Sequence, residues 1–213
     1  MVLAPARAEI GAMLPLKQLT LFMTVTCVSP ASNQIRVRLY DYAGVSSKTL
    51  NQAKGVAGEV LATAGVEVSW AGCLPGPTAA GDASCRLPVT PSDLHLLIVN
   101  EKMAKRTPTS GHCLGYAILS GEFPSIASVF FHRALDLEKG NLVDRSEVLG
   151  AMMAHELGHL LLGEHSHPKR GIMRGVWDDQ DLKTIAKGRM WFTQEEAARI
   201  EAGVARRTDT GLR

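Results

Sequence analysis

Asp144 to Met173 reads D-R-S-E-V-L-G-A-M-M-A-H-E-L-G-H-L-L-L-G-E-H-S-H-P-K-R-G-I-M. Asp144 with Glu147 three residues later has the form of a capping box, in which each side chain satisfies a backbone N–H that the first helical turn leaves open. From there no proline interrupts the chain before Leu162, and Gly163 is placed to end the helix. Leu149, Met152, Met153, Leu157, Leu160 and Leu161 make this helix apolar on several sides, so it is expected to be buried. Within it stand His155, Glu156 and His159.

At 3.6 residues per turn, side chains four positions apart lie nearly one above the other, about 6 Å apart. The imidazoles of His155 and His159 can therefore converge on one zinc ion at Zn–N distances of about 2.0–2.1 Å. Glu156 lies one residue further round, so its carboxylate projects beside the metal. There it can take a proton from zinc-bound water as that water attacks a peptide carbonyl, and pass it to the leaving amine. The bland alternative is a helix with two incidental surface histidines. Burial argues against it, because a buried imidazole needs a partner and one metal ion satisfies two at once. His165 and His167 arrive just past the helix as candidates for a third ligand.

The run from Ala154 to Trp177 resembles the metzincin signature, HExxHxxGxxH followed by a methionine turn. Within that clan it is similar to a loose matrixin-like group of small secreted bacterial proteins. The resemblance implies one catalytic zinc ion, a helix break at Gly163, and a hydrophobic floor under the metal supplied by Met173 in Gly171-Ile172-Met173. The chain departs from the pattern at one point: Leu162 stands where the glycine is expected, and Gly163 follows it. His165 keeps the literal spacing from His155, whereas His167 sits four residues before Gly171 as in the bacterial group. His167 is favoured as third ligand, with His165 as the alternative. The reading is a zinc-dependent endopeptidase acting on a peptide or protein substrate. Its rivals are a secreted zinc-binding module without activity and a zinc hydrolase acting on a non-peptide amide. Glu156 speaks against the first, since a purely binding site has no use for that carboxylate.

Outward from this helix the pattern is α+β. Ile35, Val37 and Leu39 alternate with polar partners in Gln34 to Tyr42, as in a half-buried strand. Ser46 and Ser47 can cap a helix running to Ala64, with Gly65 ending it; Gly55 and Gly58 weaken it but permit close packing. Val66 to Trp70 completes a β-α-β unit, Asp93 to Asn100 is a third strand, Ala127 to Arg133 a fourth, and Tyr116 to Leu119 a short companion. A last helix spans Thr193 to about Arg206. The expected architecture is a small twisted mixed sheet with one helix packed across it, the zinc helix beneath, a Met-turn and a C-terminal helix. The cleft is expected along the strand Ala127 to Arg133, taken as the edge, where an extended substrate could add as a strand. His95 and His132 are read as structural histidines within strands. His112 has no assigned role.

The chain has 213 residues, 46% hydrophobic and 21% charged, with a net charge of +2. That length suits a single catalytic domain over 32–206, with a flexible tail at 207–213. The near balance of charge gives no reason to expect nucleic acid as a partner. Lys17, the apolar run Leu19 to Val28 and the small residues after it have the order of a secretory signal, with Met13 as the expected start and the mature chain beginning near Ser32. That run is too short for a stable membrane span. Cys73 and Cys85 flank a loop rich in Gly, Pro and Ala, and a disulfide there fits a secreted or periplasmic protein. Cys113 is left as an odd thiol.

Overall fold

The computed structural model describes Met1 and residues 33–74, 81–107, 113–140 and 142–210. Gln34–Asp41 forms β1, with Ile35, Val37 and Leu39 all turned into the core. Ser46 then caps α1 (Ser47–Ala62), its hydroxyl accepting from the Thr49 N–H. A left-handed Gly65 (φ 72°) turns the chain into β2 (Glu67–Cys73), which pairs parallel with β1. A parallel neighbour needs a crossover, and α1 is that crossover. β3 (Asp93–Val99) lies on the other side of β1, followed outward by β5 (Ile126–Phe130), again parallel. β4 (Gly115–Ile118) joins β5 antiparallel, so the sheet order is β2-β1-β3-β5-β4.

The fourth expected strand is corrected in two ways. It stops at Phe130, and Phe131–Glu138 is a helix, α3, so His132 is helical. The apolar run Val129-Phe130-Phe131 masks the change of period, but Phe131, Ala134 and Leu137 recur at helical spacing. β5 is also an interior strand, with β3 on one side and β4 on the other; the edge is β4. Two further helices went unanticipated, α2 (Glu101–Ala104) and α5 (Asp179–Ala186).

The buried helix is α4 (Arg145–Leu162), and both halves of its capping box are formed by Asp144 and Glu147. Its side chains from Val148 to Leu161 are buried against α1 and the sheet. The close approach to α1 depends on Gly150, where a Cβ would lie 2.6 Å from Ala53 O and from Val56 Cβ. Gly55 and Gly58, by contrast, face open space, so the close packing expected of them belongs to Gly150. α6 (Gln194–Thr210) runs past the expected end of the domain. Arg207, read from sequence as the start of the tail, is 2% exposed and donates to Pro91 O, Pro124 O and Leu160 O.

Cys73 and Cys85 are joined, their Cα atoms 5.7 Å apart, tying the end of β2 to the 3₁₀ turn Ala83–Arg86. Among the described residues no helix is long and apolar enough to cross a membrane. His95 sits in β3 with its ring stacked on Tyr40. His112 and the segment read as a signal lie outside the described residues.

Candidate metal centre

His155, Glu156 and His159 are each 3% exposed on α4. His155 Nδ1 lies 2.8 Å from Ile172 O, and His159 Nδ1 lies 2.8 Å from Glu164 O. A carbonyl oxygen can only accept, so each Nδ1 carries the proton and each Nε2 is left as a bare lone pair. Yet the two Nε2 atoms stand 3.1 Å apart, and His167 Nε2 is 3.2 Å from that of His159. Burial, with the neighbouring histidines adding to it, holds His155 down to about 3 and His159 to about 4. Near neutral pH neither ring gains the proton that would turn these contacts into hydrogen bonds. Lone pairs facing one another at this distance repel unless a cation lies between them. Tetrahedral zinc with bonds of about 2.0–2.1 Å sets its ligand nitrogens about 3.3 Å apart, which fits the separations found. His155, His159 and His167 form a group able to hold a metal ion, with their ligand nitrogens all within 4.8 Å of one another.

The positions of the two later histidines follow from how α4 ends. Gly163 takes a left-handed conformation (φ 71°) and caps the helix on His159 O. The next residue, Glu164, turns its carbonyl back onto the His159 ring, while its side chain pairs with Arg199 of α6 at 2.6 and 3.0 Å. His167 then stacks on His155 with ring centroids 5.3 Å apart. His165 reaches the rim of the same cavity, 5.8 Å from the His159 ring between centroids, and stands outside the group of three.

Met173 is fully buried, and its sulfur lies 2.6 Å from the point where a Cβ on Gly158 would sit. The turn that delivers it is held by Ile172 N–H donating to Trp191 O, and by Gly171, whose left-handed backbone (φ 79°) passes close to that same carbonyl. Ile172 thereby presents its own carbonyl to His155. Gly158, Glu164 and Trp177, whose ring meets His155 edge-on, were not picked out from the sequence. Gly158 did leave a trace, being a glycine inside a buried helix where one costs stability.

Glu156 points toward β4. A Cβ on Gly115 would come within 2.8 Å of Glu156 Oε1, so only glycine lets the edge strand approach this carboxylate. Its Oε2 is buried without a hydrogen-bond partner among the described residues, and burial pushes the carboxyl up to about 8. A cavity of about 190 Å³ opens here, with Leu114 to Ala117 on one wall and the four histidines His155, His159, His165 and His167 on the other.

No protein-family profile matches the chain, and no curated protein matches its sequence. Solved structures similar to it include two zinc-peptidase relatives in fold. One is a zinc-dependent peptidase from Methanocorpusculum labreanum, at TM-score 0.51 and 16% identity over 77% of this chain and 99% of that one. The other is archaemetzincin from Methanopyrus kandleri, at TM-score 0.50 and 16% identity over 83% of this chain and 99% of that one. The chain shares its fold with zinc peptidases. At this identity the likeness concerns the backbone, and the case for the site rests on its own atoms.

Proposed function

We propose that this chain is a zinc-dependent endopeptidase, of the metzincin type, in which His155, His159 and His167 hold the metal and Glu156 is the catalytic base. One observation carries the reading: three imidazole Nε2 atoms gathered at zinc spacing, those of His155 and His159 left bare by their Nδ1–carbonyl contacts, beside a buried carboxylate oxygen without a partner among the described residues, in an open cavity. Bound zinc supplies the positive charge that acidifies water and polarises an amide carbonyl. Glu156 accepts the proton of the attacking water at its free Oε2 and delivers it to the amine nitrogen as the peptide bond breaks. The Ile172 and Glu164 carbonyls hold His155 and His159 in the tautomer that presents Nε2.

The edge of β4 that faces away from β5 has no strand beside it among the described residues, and β4 lines the cavity. An extended peptide pairing with this edge would carry a scissile bond past Glu156. The proposed site of action is extracytoplasmic. The order of residues from Lys17 to Ser32 and the Cys73–Cys85 disulfide support that reading.

The test is metal analysis of the purified protein together with a cleavage assay on a mixed library of unstructured peptides, with and without chelator. About one zinc per chain and chelator-sensitive cleavage are expected. A zinc-loaded protein that cuts no peptide would reduce the reading to a metal-binding module, and a protein without transition metal would remove it.

A further inference from the structure

The two faces of the edge strand differ. Strand geometry sends alternate side chains to opposite sides, and in β4 Gly115 and Ala117 face α4 and the cavity. Tyr116 and Ile118 face the other way, Tyr116 against Phe130. Ile118 is directly opposite Ile126 of β5, and the two are 42% and 41% exposed. Two isoleucines thus lie side by side at an exposed corner of the sheet face turned away from α4, at the end of the strand that lines the cavity.

Resting on the peptidase reading, we propose that Ile118 and Ile126 form a subsite for an apolar side chain of an extended substrate, outside the cavity and on the far face of the sheet. A peptide added along β4 places its own alternate side chains next to those of β4. Those on the cavity side meet Gly115 and Ala117, where small residues leave room. Those on the other side meet Tyr116 and then Ile118, with Ile126 one strand further in. Ile118 is three residues from Gly115, a distance of about 10 Å along a strand, so the apolar substrate residue stands about three positions from the bond cleaved. The occupant is the substrate strand because the patch is continuous with the edge that leads to Glu156. The segment that is cut must be extended to reach both the patch and the carboxylate.

The experiment compares two series of unstructured peptides that share a cleavable core and carry either leucine or serine three positions from the cleaved bond, on each side in turn. The zinc-loaded wild type is expected to favour leucine on one side by about tenfold in kcat/KM, the size expected from covering one aliphatic side chain, mainly through KM. Ile118→Ser and Ile126→Ser should each reduce that ratio to near one. Both residues are exposed, and circular dichroism and zinc content check that each variant is folded. Cleavage without leucine preference, or a preference that survives in both variants, overturns the subsite and leaves the peptidase reading standing. Failure of the wild type to cleave any peptide overturns the peptidase reading itself.

Discussion

Glu156 is a buried carboxyl with one oxygen unpartnered among the described residues, and this arrangement has opposite consequences with and without metal. In the metal-free protein its folded-state value of about 8 lies above the ordinary 4.5. A raised value means that the folded form binds the extra proton. Its contribution is fully present below pH 4.5 and is lost as pH rises through 8. Glu156→Gln should therefore raise the melting temperature of the chelated protein at pH 8–9 and leave it nearly unchanged at pH 4, read by scanning calorimetry. With zinc loaded, the same variant should keep its metal while turnover falls by about 10²–10⁴-fold. Equal turnover in variant and wild type would show that another group is the base. The third ligand is decided by comparing His167→Ala with His165→Ala in zinc titrations against a competing chelator. Loss at His167 should weaken binding by about a hundredfold or more, beyond what losing an orienting partner costs, and loss at His165 should weaken it little. A larger effect at His165 would mean that the zinc-loaded loop differs from the one described.

Among the elements, α4 has to be both a core helix and the bearer of the site, and its glycines show how the two are reconciled. Gly150 admits α1, Gly158 admits Met173, and Gly163 ends the helix so that Glu164 can reach back to His159. Gly150→Ala puts a methyl 2.6 Å from a backbone oxygen of α1, a contact that can relax only by moving a helix. It should cost about 1–3 kcal/mol in denaturant unfolding. Gly55→Ala, on an exposed position of α1 with open space around it, should stabilise by about 0.5–1 kcal/mol. If the two substitutions gave the same sign, the close α1–α4 packing would be wrong.

At the scale of the whole molecule, α6 and the metal site both fasten the C-terminal half of α4. Arg207 donates to three backbone carbonyls, from the loops ahead of β3 and β5 and from α4 itself. Removing it leaves buried acceptors without donors, so Arg207→Ala should cost about 1.5–3 kcal/mol. A change within about 0.5 kcal/mol would indicate that the end of α6 is frayed in solution. Zinc should stabilise by mass action, by about 2.7 kcal/mol at a hundredfold excess over its dissociation constant. Chelation should lower the melting temperature accordingly, and a protein whose melting point ignores both zinc and chelator does not hold the metal at this site.

The α+β class, the β-α-β opening, both ends of α4 and the spacing of His155, Glu156 and His159 were legible in the sequence. Each depends on residues within a few positions of one another, where helix and strand periods and capping chemistry act directly. The pairing of strands was not legible, because whether β4 or β5 is the edge depends on contacts between segments far apart in the chain. The end of the fourth strand was hidden by an apolar run that suits either period, and α3 emerged only where packing chose between them. The order of the residues left His165 and His167 both open, since direction after a left-handed glycine is set by what the loop meets next. Here it meets Arg199 and the His159 ring, and those tertiary contacts bring His167 to the other two histidines. The tautomers of His155 and His159 were likewise decided by folding, which carried the carbonyls of Ile172 and Glu164 to them.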